Sequence, residues 1–171
     1  DTAPPDALPA IAPDDPRVIR MRTFSKAHGL AGLRVGYAIA APGLVQAFDR
    51  IRNHFGIGRI AQAGALAAIG DEAHLRETVA RIAAGRERLA AIARENGLVP
   101  VPSATNFVTM DCGRDGEFAR AVVAALAERG VFVRMPFTPP QDRAIRVSVG
   151  TDADLAVLAE TLPDALAAAG T

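Results

Sequence analysis

With 171 residues, half of them hydrophobic, the chain is long enough to bury the core of one or two domains. Its 19 basic and 19 acidic residues cancel and are interspersed, which leaves no electrostatic footprint for nucleic acid or anionic lipid. No apolar run is long enough for a membrane-spanning helix, and the lone Cys112 excludes an internal disulfide, so a reducing cytoplasmic compartment is expected.

In chain order, the first sixteen residues carry five prolines and no periodic apolar pattern, and read as a loop or linker. Val18 to Thr23 is apolar and β-branched enough for a strand, and Arg34 to Ala40 reads as a second strand beyond a glycine-rich loop. Pro42 suits the first turn of a helix with Leu44, Val45, Phe48 and Ile51 on one face. A break at Gly56-Ile57-Gly58 precedes a helix through Ala61 to Ile69. From Asp71 to Asn96 the positions Leu75, Val79, Ile82, Leu89 and Ile92 keep helical spacing, and Gly97 is placed to end the run.

Beyond that long helix the pattern predicts a strand at Asn106 to Asp111 and a helix at Glu117 to Arg129, with Phe118, Val122, Ala125 and Leu126 inward and Gly130 as its stop. A strand at Val131 to Arg134, a proline-rich loop at Met135 to Pro140 and a strand at Ala144 to Val149 follow. Thr151 opens the last helix, with Asp154 in the reciprocal capping position. Strands followed by helices argue for α/β organisation with a smaller α+β unit at the C-terminal end.

The chemistry concentrates at Lys26. Lys and Arg total 19 and Lys26 is the one lysine, so eighteen arginines carry the remaining positive charge. A deprotonated primary amine attacks a carbonyl carbon to give a Schiff base, which guanidinium does not do. A leftover surface lysine is the bland alternative. The flanks speak against it: Thr23 and Ser25 precede the lysine, Gly29, Gly32 and Gly36 follow, and Arg34 lies eight residues on. Hydroxyls, exposed backbone amides and a fork of donors are what a phosphate dianion needs around it. A Schiff-base lysine beside a phosphate cradle describes a site for pyridoxal 5'-phosphate.

The stretch Thr23 to Tyr37, Thr-Phe-Ser-Lys-Ala-His-Gly-Leu-Ala-Gly-Leu-Arg-Val-Gly-Tyr, resembles the cofactor-lysine segment of fold-type I aminotransferases, closest to the histidinol-phosphate aminotransferase branch. His28 stands where that branch has an aromatic and reads as a local substitution rather than a ligand. The resemblance implies an α/β chain forming the C-terminal part of the aspartate aminotransferase-like fold. Residues 1–75 would be the C-terminal portion of the large, cofactor-binding domain, and 76–171 the connecting helix and small α+β domain. In that family the lysine follows an acid that pairs with the pyridine nitrogen, an aromatic that stacks on the ring and a helix start that holds the phosphate. None has a counterpart here, so the chain is expected to be a part of such an enzyme, inactive without an N-terminal half.

The segment Ile145-Arg146-Val147-Ser148-Val149 holds a second candidate. Alternation turns Ile145, Val147 and Val149 to one face and Arg146 to the other, and an arginine there must be paired or face a cleft. An internal ion pair is one reading. Similarity to the family's segment implies the other, in which Arg146 grips the substrate α-carboxylate. Asn106, in Ser103-Ala-Thr-Asn-Phe107, resembles the family's cleft-lining asparagine, although a turn-stabilising role fits nearly as well. Arg134 reads as an exposed arginine rather than a substrate ligand. Asn53, His54 and Arg59 flank the glycine break, which in this fold approaches the neighbouring subunit's cofactor. The three histidines lack metal-ligand spacing.

The resemblance therefore implies a cytoplasmic, homodimeric aminotransferase in amino-acid biosynthesis, acting on an amino acid and a 2-oxo acid. Lys26 would hold the cofactor and move the α-proton, Thr23, Ser25 and Arg34 would hold its phosphate, and Arg146 with Asn106 would bind substrate. Two alternatives stay open: a decarboxylase of a phosphorylated amino acid, and a regulatory or pseudoenzyme domain that keeps the fold.

Overall fold

A computed structural model describes residues 12–170, so most of the proline-rich start lies outside the described residues. The described chain divides into two compact units, 12–79 and 80–170. No helix of either is long and apolar enough to cross a membrane.

In the first unit β1 (Ile19–Thr23) and β2 (Gly36–Ala40) pair antiparallel, with Ile19 opposite Ala40 and Thr23 opposite Gly36. The loop between them folds back on itself. Phe24 and Val35 are joined by a 3.3 Å backbone bond, Leu30 donates to the Phe24 carbonyl at 2.9 Å, and a 3-10 turn spans Ala31–Leu33. Phe24 and Val35 then bury themselves against Ala61, flanked by Leu30, Leu33, Ala65 and Ala68. The strand expected from Arg34 starts at Gly36 instead. Arg34 closes the 3-10 turn in the left-handed conformation, φ 54°, and extended pairing begins only after it.

The helix α1 (Pro42–Asp49) has Pro42 in its first turn, as expected, yet its apolar face is not covered. Leu44 is half-buried, Val45 and Phe48 are exposed, and Ile51 lies past the helix end at 82% exposure. α2 (Arg59–Gly70) begins two residues earlier than the apolar spacing suggests, because Gly58 takes the extended N-cap position. α3 (Glu72–Glu95) follows at once and runs through the boundary between the units. Its 24 residues give it a length of about 36 Å.

The second unit is a three-stranded antiparallel sheet in the order β3-β4-β5, formed by Val99–Pro100, Phe107–Asp111 and Ala144–Ser148. β4 and β5 pair Val108 with Val147 and Met110 with Ile145, and these four form the buried face. The C-terminal part of α3 and the helices α4 (Gly116–Glu128) and α5 (Asp152–Ala169) enclose it, with Leu89, Ile92, Val122, Leu126 and Leu162 fully buried. Of the residues expected inward on α4, Val122, Ala125 and Leu126 are buried and Phe118 is half-buried. Gly97 and Gly130 follow α3 and α4 at positive φ.

Two details depart from the sequence reading. Val131 to Arg134 is not a strand: the Val131 amide caps α4 through the Leu126 carbonyl at 2.9 Å, and only Arg134 reaches the sheet, as a single bridge to Arg146. β3 was not expected, since two residues, one of them Pro100, are too short to show alternation. The cap of α5 forms as predicted, with Asp154 donating its amide to Thr151 Oγ1 at 3.3 Å and accepting from the Thr151 amide at 2.8 Å.

Candidate functional site

The antiparallel pairing of β1 and β2 brings both ends of the Thr23–Gly36 loop together. Thr23, Ser25 and Arg34 share one open cleft of about 340 Å³, completed by Met21, Arg22, Val35 and Gly36. Thr23 Oγ1 donates to Ser25 Oγ at 2.9 Å and accepts from the Ser25 amide at 3.1 Å, so the two hydroxyls are held side by side. Arg34 Nη1 donates to the Ala31 carbonyl at 2.7 Å. That bond occupies one of five guanidinium donors and leaves the others for a ligand.

Arg34 occupies backbone space that L residues other than Asn and Asp enter at a cost of about 1–2 kcal/mol. This strained residue is one of those that line the cleft. Two hydroxyls and a guanidinium around a cleft of this size fit a phosphate group.

Lys26 follows Ser25 directly and is exposed. It is not among the residues lining the cleft, and no described residue bonds its side-chain amine. Its carbonyl accepts from the Gly29 amide at 2.9 Å, which fixes the turn that presents it. His28 is a ring partner of Phe24, with centroids 5.0 Å apart, and Phe24 also meets Tyr37 at 5.7 Å. Among the described residues no cluster of three or more metal-ligating side chains exists.

In the second unit, Arg146 is half-buried on the face of β5 opposite the core, with Ser148. No Asp or Glu among the described residues pairs with its guanidinium, which lies over the Phe107 ring with Cζ 4.8 Å from the centroid. Among the described residues the internal ion pair considered for Arg146 is not formed. Its backbone N–H and C=O both go to Arg134, which exchanges bonds of 3.1 and 2.6 Å with it, while Thr109 stands opposite on β4 as a pair without mutual bonds.

Asn106 is half-buried just before β4, and its carbonyl accepts from the Val149 amide at 2.9 Å. The turn ahead of it is made by Ser103 and Thr105, whose hydroxyls are 2.9 Å apart and both reach the Phe107 carbonyl. The turn-making role is thus taken by its neighbours. Asn53, by contrast, makes its own turn, accepting from the Phe55 and Gly56 amides at 3.0 and 3.1 Å. Arg134 is exposed, as expected, with Cζ 5.9 Å from the Phe132 ring centroid.

The structure thus gathers Thr23, Ser25 and Arg34 in one cleft of the first unit, and places Arg146 and Asn106 in the second. Arg22 in the cleft and Phe107 beneath Arg146 were not anticipated. Both follow from strand register, which residue spacing alone does not reveal.

The family model for aminotransferase class I and II matches residues 2–162. A histidinol-phosphate aminotransferase of Aromatoleum aromaticum is 42% identical over 156 residues, covering 88% of this chain and 43% of its own. The crystal structure of histidinol-phosphate aminotransferase from Sinorhizobium meliloti in complex with pyridoxal-5'-phosphate is 52% identical, with a TM-score of 0.93. It is matched over 97% of this chain and 46% of its own. The chain therefore spans less than half the length of either relative. The L-threonine-O-3-phosphate decarboxylase of Porphyromonas gingivalis shares the fold, with a TM-score of 0.74 at 20% identity over 92% of this chain and 50% of its own.

Proposed function

Because the chain belongs to the class I and II aminotransferase family, we propose that it is the lysine-bearing portion of a pyridoxal phosphate-dependent aminotransferase of the histidinol-phosphate type. The observation that carries this reading is the single loop that presents Lys26 beside the hydroxyl and guanidinium cleft of Thr23, Ser25 and Arg34. The 52% identity to a relative solved with that cofactor supports it.

Pyridoxal phosphate, when bound, supplies a carbonyl carbon for the amine and an electron sink for the broken Cα–H bond. Lys26 Nζ holds the cofactor between turnovers. Displaced by the incoming amine, the same nitrogen would take the proton from the substrate Cα and deliver it to the former carbonyl carbon of the cofactor. Thr23 Oγ1, Ser25 Oγ and the free Arg34 donors hold the phosphate and so fix the distance from Lys26 to the reacting carbon. Arg146 presents its fork to the substrate carboxylate. Histidinol phosphate itself has a phosphate ester and no carboxylate, so the fork must serve either anion in the two halves of the exchange. Guanidinium pairs in two-pronged fashion with both.

The test uses the complete protein loaded with pyridoxal phosphate. Borohydride reduction and peptide mapping should put a phosphopyridoxyl label on Lys26, and incubation with histidinol phosphate and a 2-oxo acid should transfer the amino group. A label elsewhere sinks the reading. Carbon dioxide release from phosphorylated amino acids without transfer favours the decarboxylase, and labelling with neither reaction favours a regulatory domain.

A further inference from the structure

We infer that Phe107 is a positioning residue for Arg146, its ring holding the guanidinium in the orientation that receives a carboxylate. The inference rests on the reading of Arg146 as the substrate's anion fork.

Register explains the contact. Thr109 stands opposite Arg146 and Phe107 opposite Ser148, so Phe107 and Arg146 are diagonal neighbours on the sheet face that points away from the core. Diagonal partners are within reach of one another only when one side chain is aromatic and the other long, as here. The Arg146 backbone is bonded to Arg134 on one edge, and its neighbours Ile145 and Val147 pair with β4 on the other, leaving its side-chain torsions as the remaining freedom. The Phe107 backbone that carries the ring is held in turn, since Ser103 Oγ and Thr105 Oγ1 donate to its carbonyl at 2.6 and 3.2 Å.

The guanidinium Cζ lies over the ring, 4.8 Å from its centroid, and no described carboxylate competes for its N–H groups. The ring attracts the positive charge without using up an N–H donor, and the two-pronged bond needs only two of the five, so both contacts form at once. Holding a long side chain in its bound conformation beforehand removes an ordering cost from substrate binding.

The test compares the complete holoenzyme with Phe107→Leu and Phe107→Tyr in three measurements: kcat/KM for L-glutamate, kcat/KM for benzylamine, and calorimetric binding of glutarate, which needs no turnover. Phe107→Leu should lower kcat/KM for L-glutamate and the affinity for glutarate by roughly threefold to tenfold. Benzylamine, which has no carboxylate, should react at an unchanged rate, and Phe107→Tyr should recover most of the loss. Equal losses for L-glutamate and benzylamine, or a Tyr variant as impaired as Leu, would mean that the ring only packs the sheet. Unchanged glutarate binding in Phe107→Leu would also overturn the inference. A wild-type protein that reacts with no amino acid refutes the aminotransferase reading instead, and glutarate binding still decides the role of Phe107.

Discussion

Gly36 lies against the carbonyl of Arg22 so closely that a Cβ at position 36 would sit 2.6 Å from that oxygen. The contact is backbone, and no side chain can rotate away to relieve it. Gly36 is also the partner of Thr23 in the pairing that closes the Lys26 loop. Gly36→Ala should therefore separate the strands beside the cleft, costing about 1–3 kcal/mol as overpacking does. Thermal melts should show the loss, and dialysis should show faster release of pyridoxal phosphate. An Ala variant with unchanged stability and retention would show that the loop does not depend on this approach.

Arg34 gives a case where stability and binding should move in opposite directions. Its left-handed φ of 54° suits glycine better than any residue with a Cβ. Arg34→Gly should make the cofactor-free protein more stable than Arg34→Ala by about 1 kcal/mol. Both variants should retain the cofactor poorly, since each removes a charge-assisted contact of roughly 1.5–3 kcal/mol to its phosphate. Paired melts and cofactor titrations read the two effects separately. Tight cofactor binding by Arg34→Gly would remove Arg34 from the phosphate site.

Arg146→Ala should do the reverse. Cofactor absorbance should persist, while kcat/KM for α-amino acids falls about a hundredfold or more, reflecting two charge-assisted bonds. Unphosphorylated amines lacking a carboxylate should be affected far less. Cofactor release or unfolding, with discrimination between amino acids and amines unaltered, would make Arg146 a structural residue.

What the sequence made legible was local. Lys26 with its hydroxyls and glycines, the alternation that turns Arg146 from the core, and the Thr151 cap each depend on residues a few positions apart. The departures arise where distant segments decide. Val131 to Arg134 has strand composition, but the α4 cap claims its first amide and β5 offers it one bridge. Ile51 fits the α1 stripe by spacing, yet α1 ends at Asp49. The contact of Phe107 with Arg146 needs the register of β4 on β5, and that is set by the buried pairs Val108–Val147 and Met110–Ile145.

Gly85 poses a test of packing within the second unit. It is buried in the middle of α3, where alanine is favoured over glycine by about 1 kcal/mol on helix propensity. A Cβ there would overlap Val149 Cγ1, on a β-branched side chain with little freedom to move. Gly85→Ala should thus lower stability despite its better propensity, and adding Val149→Ala should recover part of the loss. Melting temperatures of the two single variants and the pair measure that coupling. A Gly85→Ala protein as stable as the wild type would mean that α3 shifts freely past Val149.

Acid should weaken the second unit through two carboxylates. The Thr151 amide and then its hydroxyl hold Asp154 below the usual carboxylate pKa, and the Gly113 amide, opposed by partial burial and aided by Arg143, does the same for Asp111. A carboxyl whose pKa is lower folded than unfolded adds stability that is complete above the unfolded value, about 3.9. That contribution is lost as pH falls through the folded value. Melting temperatures should therefore hold steady from about pH 7 to about pH 5 and decline below about pH 4. Asp154→Asn keeps an oxygen that accepts from Thr151 but carries no charge, so it should lower the melting temperature near neutrality and flatten the decline. A variant with the same acid slope as the wild type would show that the α5 cap does not contribute to it.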